Sequence, residues 1–106
     1  MINTINKLIE STNQLHKRFN IPDATFKDMS NRLRLQIEEV GEVAKAINHN
    51  NEEELMSEVV DVAVVAIGTL LLLGDKVMPF IEKVIEKNDK KTTETHILND
   101  GKIVRK

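Results

Sequence analysis

The sequence has no cysteine, no tryptophan and no tyrosine, and only three phenylalanines among 106 residues. Without cysteine there is no disulfide framework, no thiolate-ligated zinc and no thiol nucleophile, a composition that suits a reducing compartment. So few aromatics argue against the base-stacking platforms of single-stranded nucleic-acid binders. Glycine is scarce too, and Gly41, Gly68, Gly74 and Gly101 stand too far apart to form a phosphate-cradling loop. No Glu-x-x-His occurs, which removes the di-iron carboxylate bundle. The longest apolar run, Val62 to Leu73, has twelve residues, is interrupted by Gly68 and Thr69, and follows Asp61. That falls short of the roughly 20 residues a bilayer span needs. The opening MINTINKLIEST has neither a basic n-region nor a continuous apolar run, so no export signal is expected. The expectation is a cytoplasmic chain, in one domain over 1–106, with no membrane contact.

Charge is present in both signs but unevenly placed. The net charge of -2 covers an acidic segment, 37–61, with eight acids against Lys45 alone, and a basic one, 83–106, with seven bases against four acids. A nucleic-acid binder usually shows a basic stripe without such an acidic centre, so no nucleic-acid partner is expected. Acids in one segment and lysines in another suit a metal held by carboxylates and an anion held by cations. A chain this short also buries only around two-thirds of its unfolded surface, so an oligomer interface would help it.

Hydrophobic spacing places the elements. Ile5, Leu8, Ile9, Leu15 and Phe19 predict an amphipathic helix over 2–19, broken by the stretch from Asn20 to Thr25 with Pro22. A second helix over 28–48 carries an apolar stripe of Leu33, Ile37, Val40, Ala44 and Ile47. Asn48, His49, Asn50 and Asn51 signal a turn, with Asn50 or Asn51 able to cap the next helix and Glu52, Glu53 and Glu54 in its first turn. The segment 55–73 is rich in β-branched residues, yet it is long for a strand and reads as a central helix buried by its neighbours. Gly74 ends it, and 75–90 forms a further amphipathic helix with Pro79 near its start. Two short apolar runs around Asn99, Asp100 and Gly101 predict a hairpin. The class is all-α, a four-helix-type bundle with a short C-terminal hairpin or extended tail.

The residues that carry chemistry are Glu38, Glu39, Glu42, Glu58 and Asp61. Glu39 and Glu42 lie three apart on one helix, and Glu58 and Asp61 repeat that spacing on the next. Antiparallel packing, favoured by the short connection, lets the two pairs converge. A lone Glu pair at i and i+3 is most often a solvated helix face. Here Asp61 sits between Val60 and Val62, and Glu39 and Glu42 flank the apolar stripe, with no interior Lys or Arg to pair them. Converging carboxylates repel and resist desolvation, which a divalent cation relieves. Oxygen-only ligation selects hard ions, Mg²⁺ or Mn²⁺, over zinc or copper.

The pattern Glu38, Glu39, Glu42, then fifteen residues, then Glu58 and Asp61 resembles the signature of the MazG-like all-α nucleoside triphosphate pyrophosphohydrolases. The stretch from Leu15 to Pro22 is similar to a Phe-His-x-x-Phe-Gly-x-Pro element of some members, and Asp61 to Thr69 to an Asp-x-x-Tyr-x-x-Tyr-Gly-Thr run. Asn88 with Lys91, and Asp100-Gly101-Lys102, resemble elements of the family's C-terminal part. The resemblance implies a helical bundle, dimeric or tetrameric, that hydrolyses an NTP or dNTP between the α and β phosphates to the monophosphate and pyrophosphate. It implies Glu39, Glu42, Glu58 and Asp61 as metal ligands and Glu38 as the group that orients or deprotonates the attacking water. Lys83, Lys87, Asn88 and Lys91 are then the phosphate- or sugar-binding residues. The two tyrosines of the similar run are Val64 and Ile67 here, leaving Phe19, Phe26 and Phe80 as the candidates for stacking on a base.

Two other readings stand beside this one. A phosphoribosyl-ATP pyrophosphohydrolase of histidine synthesis has similar acids, but the Ser-Tyr-Thr segment usual before its acidic helix reads Ala24, Thr25, Phe26 here, which ranks it second. A non-catalytic helical interaction module is the other. Of the histidines, His16 and His49 read as structural or solvent-facing, while His96 beside the hairpin could approach a ligand.

Overall fold

Asparagine sets two of the helix ends. In the computed structural model, which describes Met1–Lys106, α1 spans Ile2–Arg18 and α2 spans Met29–Asn48. Each is followed two residues later by an asparagine in the left-handed region, Asn20 and Asn50, both at φ 52°. The amides of Asn20 and Ile21 donate to the carbonyls of Lys17 and His16, and those of Asn50 and Asn51 to Ile47 and Ala46. This paired closure satisfies carbonyls that a helix end leaves bare, and asparagine tolerates the positive φ it requires. Asn51 then caps α3 (Glu52–Leu73), its side-chain oxygen accepting from the Glu54 amide at 3.1 Å. The cap is therefore Asn51, while Asn50 supplies the turn before it.

Two compact units follow one another along the chain, Met1–Gly74 and Asp75–Lys106. In the first, α1 and α2 both pack on α3. Between α1 and α2, Thr25 and Asp28 form a reciprocal capping pair around a 3-10 turn at Phe26–Asp28. The Ala24 amide donates to the Leu72 carbonyl at 2.8 Å, which ties the Pro22 loop to the end of α3. In the second unit a 3-10 turn leads into α4 (Met78–Lys90), with Pro79 in the first turn, where its missing N–H leaves no helical bond unmade. Strands β1 (His96–Asn99) and β2 (Lys102–Arg105) pair antiparallel, His96 opposite Arg105 and Asn99 opposite Lys102. Asp100 and Gly101, at φ 51° and 76°, make the two-residue turn, both in the left-handed region that tight hairpins favour. The expected class, mostly helical with a C-terminal antiparallel hairpin, is what the chain adopts.

Two expectations are corrected. The apolar stripe of α2 does not build this chain's own core: Leu33, Ile37, Val40 and Ile47 are between 51% and 60% exposed. Only Ala24, Ala46 and Leu72 are fully buried among the apolar residues. The face that α2 turns to α3 instead carries Arg32, Gln36 and Glu39. For the same reason α3 is not a helix buried on all sides; Val59 and Val60 are about half exposed. The second correction concerns length. By length and composition alone the helical stretch 52–90 is long and apolar enough to cross a bilayer. Within it, the Val62 and Val65 carbonyls accept hydrogen bonds from Gln36 and Arg32 of α2.

Candidate active site

Helices α2 and α3 run antiparallel, and their contact can be followed rung by rung. The Arg32 guanidinium donates through Nε to Thr69 Oγ1 and through Nη2 to the Val65 carbonyl, both at 3.0 Å. One turn along α2, Gln36 Nε2 donates to the Val62 carbonyl at 3.1 Å. One turn further, Glu39 meets Glu58 and Asp61: one carboxylate oxygen from each, all within 4.8 Å of one another. The polar rungs fix the register, so that residues 32, 36 and 39 of α2 face 69, 65, 62, 61 and 58 of α3. An antiparallel pair with this register is what carries acids nineteen residues or more apart in sequence into one group.

The electrostatics of the group follow from its geometry. Loss of hydration at the seam, then the negative charges of Asp61, Glu42, Glu39 and Glu54, raise the Glu58 carboxyl above its ordinary value. Glu39 and Glu58 are half-buried while Asp61 is exposed. Asp61 is therefore not the interior acid its apolar neighbours suggested; it lies at the mouth of the group. No basic side chain neutralises the three. Arg32 lies on the same seam but is engaged by Thr69 and Val65. A set of oxygens that repel one another, open to solvent on one side, fits a hard divalent cation, and the donor chemistry matches Mg²⁺ or Mn²⁺.

The remaining residues singled out from the sequence fall as follows. Glu42 lies one turn beyond Glu39, exposed and outside the close trio, though its charge acts on Glu58. Glu38 is exposed and ion-paired with Arg34 at 2.6 Å. Lys83, Lys87, Asn88 and Lys91 all belong to the C-terminal unit. Lys83 Nζ stands 5.5 Å from the centroid of the Phe80 ring. Asn88 and Lys91 line a cavity of about 560 Å³ together with His96 and Ile97. His49 closes α2 as an exposed C-cap. His16 is half-buried; its Nδ1 is buried without a partner, and desolvation followed by the Arg32 charge lowers its pKa from the ordinary 6.5.

Sequence reasoning missed Arg32 and Gln36. Their signal was available: with Glu39 they form a polar stripe at i, i+4 and i+7, one residue out of phase with the apolar stripe of 33, 37 and 40. Beside that stripe an open cavity of about 580 Å³ lies between α2 and α3, lined by Arg32, Leu33, Gln36, Thr69 and Leu70 among others. No phenylalanine lines it.

Comparison with known proteins adds the family. The family model described as phosphoribosyl-ATP pyrophosphohydrolase matches residues 3–88, which include both acidic helices. Searches of curated proteins and of solved structures gave no match. The match reverses the order in which the two hydrolase readings stood on sequence alone. The 24–26 segment that counted against the phosphoribosyl-ATP branch is one short loop, whereas the match spans the helical framework around it. The chain belongs to the phosphoribosyl-ATP pyrophosphohydrolase family, part of the MazG-like all-α superfamily of nucleoside triphosphate pyrophosphatases, whose reaction is hydrolysis of a phosphoric anhydride.

Proposed function

We propose that this chain is a Mg²⁺-dependent pyrophosphohydrolase that cleaves phosphoribosyl-ATP between the α and β phosphates, releasing phosphoribosyl-AMP and pyrophosphate. The observation that carries the reading is the convergence of Glu39, Glu58 and Asp61 within 4.8 Å on helices that the family match covers. In this reading Glu39, Glu58 and Asp61, with Glu42 one turn away, hold Mg²⁺, and Mn²⁺ can replace it. When bound, the metal supplies positive charge to the phosphates as a Lewis acid. Glu38 orients or deprotonates the attacking water. To do so it gives up its exposed pair with Arg34, which costs no more than about 1 kcal/mol. Lys83, Lys87, Asn88 and Lys91 bind phosphate or sugar oxygens, with lysine acting as a point charge and not as a bidentate clamp. The α2–α3 cavity beside the acids is the natural seat for the nucleoside. Without an aromatic side chain in its lining, recognition there falls to apolar contact and to the polar groups of Arg32, Gln36 and Thr69.

The family match covers nearly all of the first compact unit and extends into α4 of the second, which supports reading 1–106 as one catalytic domain, placed in the cytoplasm. A second copy of the chain is the partner that the exposed α2 stripe calls for, giving a dimer or, by pairing, a tetramer. A plain NTP or dNTP is the second substrate reading, favoured by Ala24, Thr25 and Phe26 where the phosphoribosyl-ATP branch carries Ser-Tyr-Thr. The test is pyrophosphate release with Mg²⁺ from phosphoribosyl-ATP and from each NTP and dNTP. Phosphoribosyl-ATP is expected to be the best substrate. Release only from ordinary nucleotides favours the second reading, and release from none ends both.

A further inference from the structure

The hairpin lies beyond the part of the chain that the family match covers, which ends at residue 88. Isolated two-stranded hairpins are marginal in water, so what fixes this one bears on what it can do. Here the Asp100–Gly101 turn fixes the register. At the open end, the Lys106 amide donates to the Thr95 carbonyl at 3.0 Å, and the His96 amide to the Thr92 carbonyl at 2.9 Å. Cross-strand partners project to the same face, so His96 and Arg105 stand side by side. Side chains of that face and of the end of α4 line an open groove of about 260 Å³, formed by Lys87, Lys90, Lys91, Thr95, His96 and Arg105.

The lining holds four cationic side chains and no carboxylate. Lys90 is paired with Glu86 at 2.6 Å, and no acid pairs with Lys87, Lys91 or Arg105. The His96 ring is oriented by a 2.7 Å hydrogen bond between Nδ1 and Thr95 Oγ1. Where the hydroxyl gives its one proton to His96 Nδ1 and not to the Thr92 carbonyl 3.3 Å away, Nε2 carries the ring proton and is left as a donor. Like charges gathered without a counter-ion repel, and an anion is what relieves them. The groove shares Lys91 and His96 with the larger cavity at Asn88 and Ile97, and its own cationic lining suits a phosphoryl group.

We propose that Lys87, Lys91, His96 and Arg105 form a phosphoryl-anion site built jointly by the end of α4 and the hairpin. Two sources share that chemistry, the polyphosphate chain and a sugar phosphomonoester. That the bound anion is part of the substrate rests on the function proposed above; anion binding by the pocket does not. Arg105 supplies the planar fork that the lysines lack, which makes the hairpin a recognition element.

The test is calorimetric titration of the full chain in EDTA with pyrophosphate and, separately, with ribose 5-phosphate. Binding of at least one is expected, and the tighter of the two identifies the source. Arg105→Gln and Lys91→Gln are each expected to weaken that binding about tenfold, as loss of a charge-assisted contact implies. Lys7→Gln, on α1, removes the same charge outside the cavity and leaves affinity unchanged, and Asp61→Asn does not weaken it. Arg105 and Lys7 are exposed, so both variants fold. Absence of binding by either anion, or equal losses from Arg105→Gln and Lys7→Gln, overturns the site. Pyrophosphate bound through Arg105 in a chain that hydrolyses no nucleotide leaves the site standing while the proposed activity fails. Turnover without Arg105-dependent binding does the reverse.

Discussion

Replacing Gly68 by alanine tests the packing at the heart of the first unit. A Cβ built on Gly68 would stand 2.9 Å from His16 Cε1 and 3.0 Å from Arg32 Nη2. Contacts that short do not persist, so both side chains have to give. His16 is half-buried, and Arg32 is anchored to Thr69 and to the Val65 carbonyl. Overpacking costs about 1–3 kcal/mol, and weakening a hydrogen bond from a charged donor adds up to about 1.5–3 kcal/mol. Against that, alanine in a helix interior is favoured over glycine by about 1 kcal/mol. The balance is a loss of roughly 1–5 kcal/mol, or a fall in Tm of order 5–20 °C for a domain of this size. Gly41 provides the control. It lies in α2 with nothing within 4 Å of its virtual Cβ, so Gly41→Ala should raise stability by about 0.5–1 kcal/mol. The assay is thermal unfolding followed by circular dichroism at fixed protomer concentration without metal. His16→Ala in the Gly68→Ala background should recover part of the loss, since it removes the nearest atom. A Gly68→Ala protein as stable as Gly41→Ala would refute the argument.

Four further outcomes follow from the site and the charges around it. Because the His16 pKa is lowered on folding, the unfolded chain takes up its proton first as pH falls below 6.5, and stability drops from there down to the folded pKa. His16→Gln should flatten that part of a stability–pH curve, and an unchanged slope would count against it. Glu58 is raised on folding, so its cost is absent below its ordinary 4.5 and grows as pH rises through the folded value. Glu58→Gln should therefore raise Tm at pH 7 in EDTA while shrinking the gain in Tm that Mg²⁺ gives the parent; loss of stability in EDTA contradicts this. Asp61→Asn should weaken Mg²⁺ binding by more than about tenfold in calorimetry and abolish pyrophosphate release. The proposed dimer predicts that the parent chain sediments above the protomer mass and that Ile37→Glu, on the exposed α2 stripe, sediments as protomers; a protomeric parent, or a variant that sediments like an assembled parent, refutes that use of the stripe.

Helix positions and punctuation were open to reading from the sequence, because they depend on neighbours in the chain. The 3.6-residue spacing placed α1 and α2 within a residue or two, and Asp100–Gly101 placed the hairpin turn. The acids were legible through their i, i+3 spacing on two consecutive helices. What sequence could not give was the direction of the α2 faces. Leu33, Ile37, Val40 and Ile47 make the more regular stripe and naturally suggest the core, yet Arg32, Gln36 and Glu39 make the contact with α3. Periodicity marks an apolar face and not whether this chain's own core covers it. Likewise, the setting of Asp61 between valines suggested burial, because local hydropathy cannot see that α3 turns that side to solvent.

The inverted faces of α2 bear on how the protein behaves when scarce. Its polar side frames the carboxylates while its apolar side lies open to solvent; should the proposed second copy cover that side, the helix that orders the acids would depend on the encounter. In that case assembly by mass action would link output to abundance more steeply than one-to-one. Halving the amount of protein would remove more than half of the activity once its level falls near the dissociation constant of the pair.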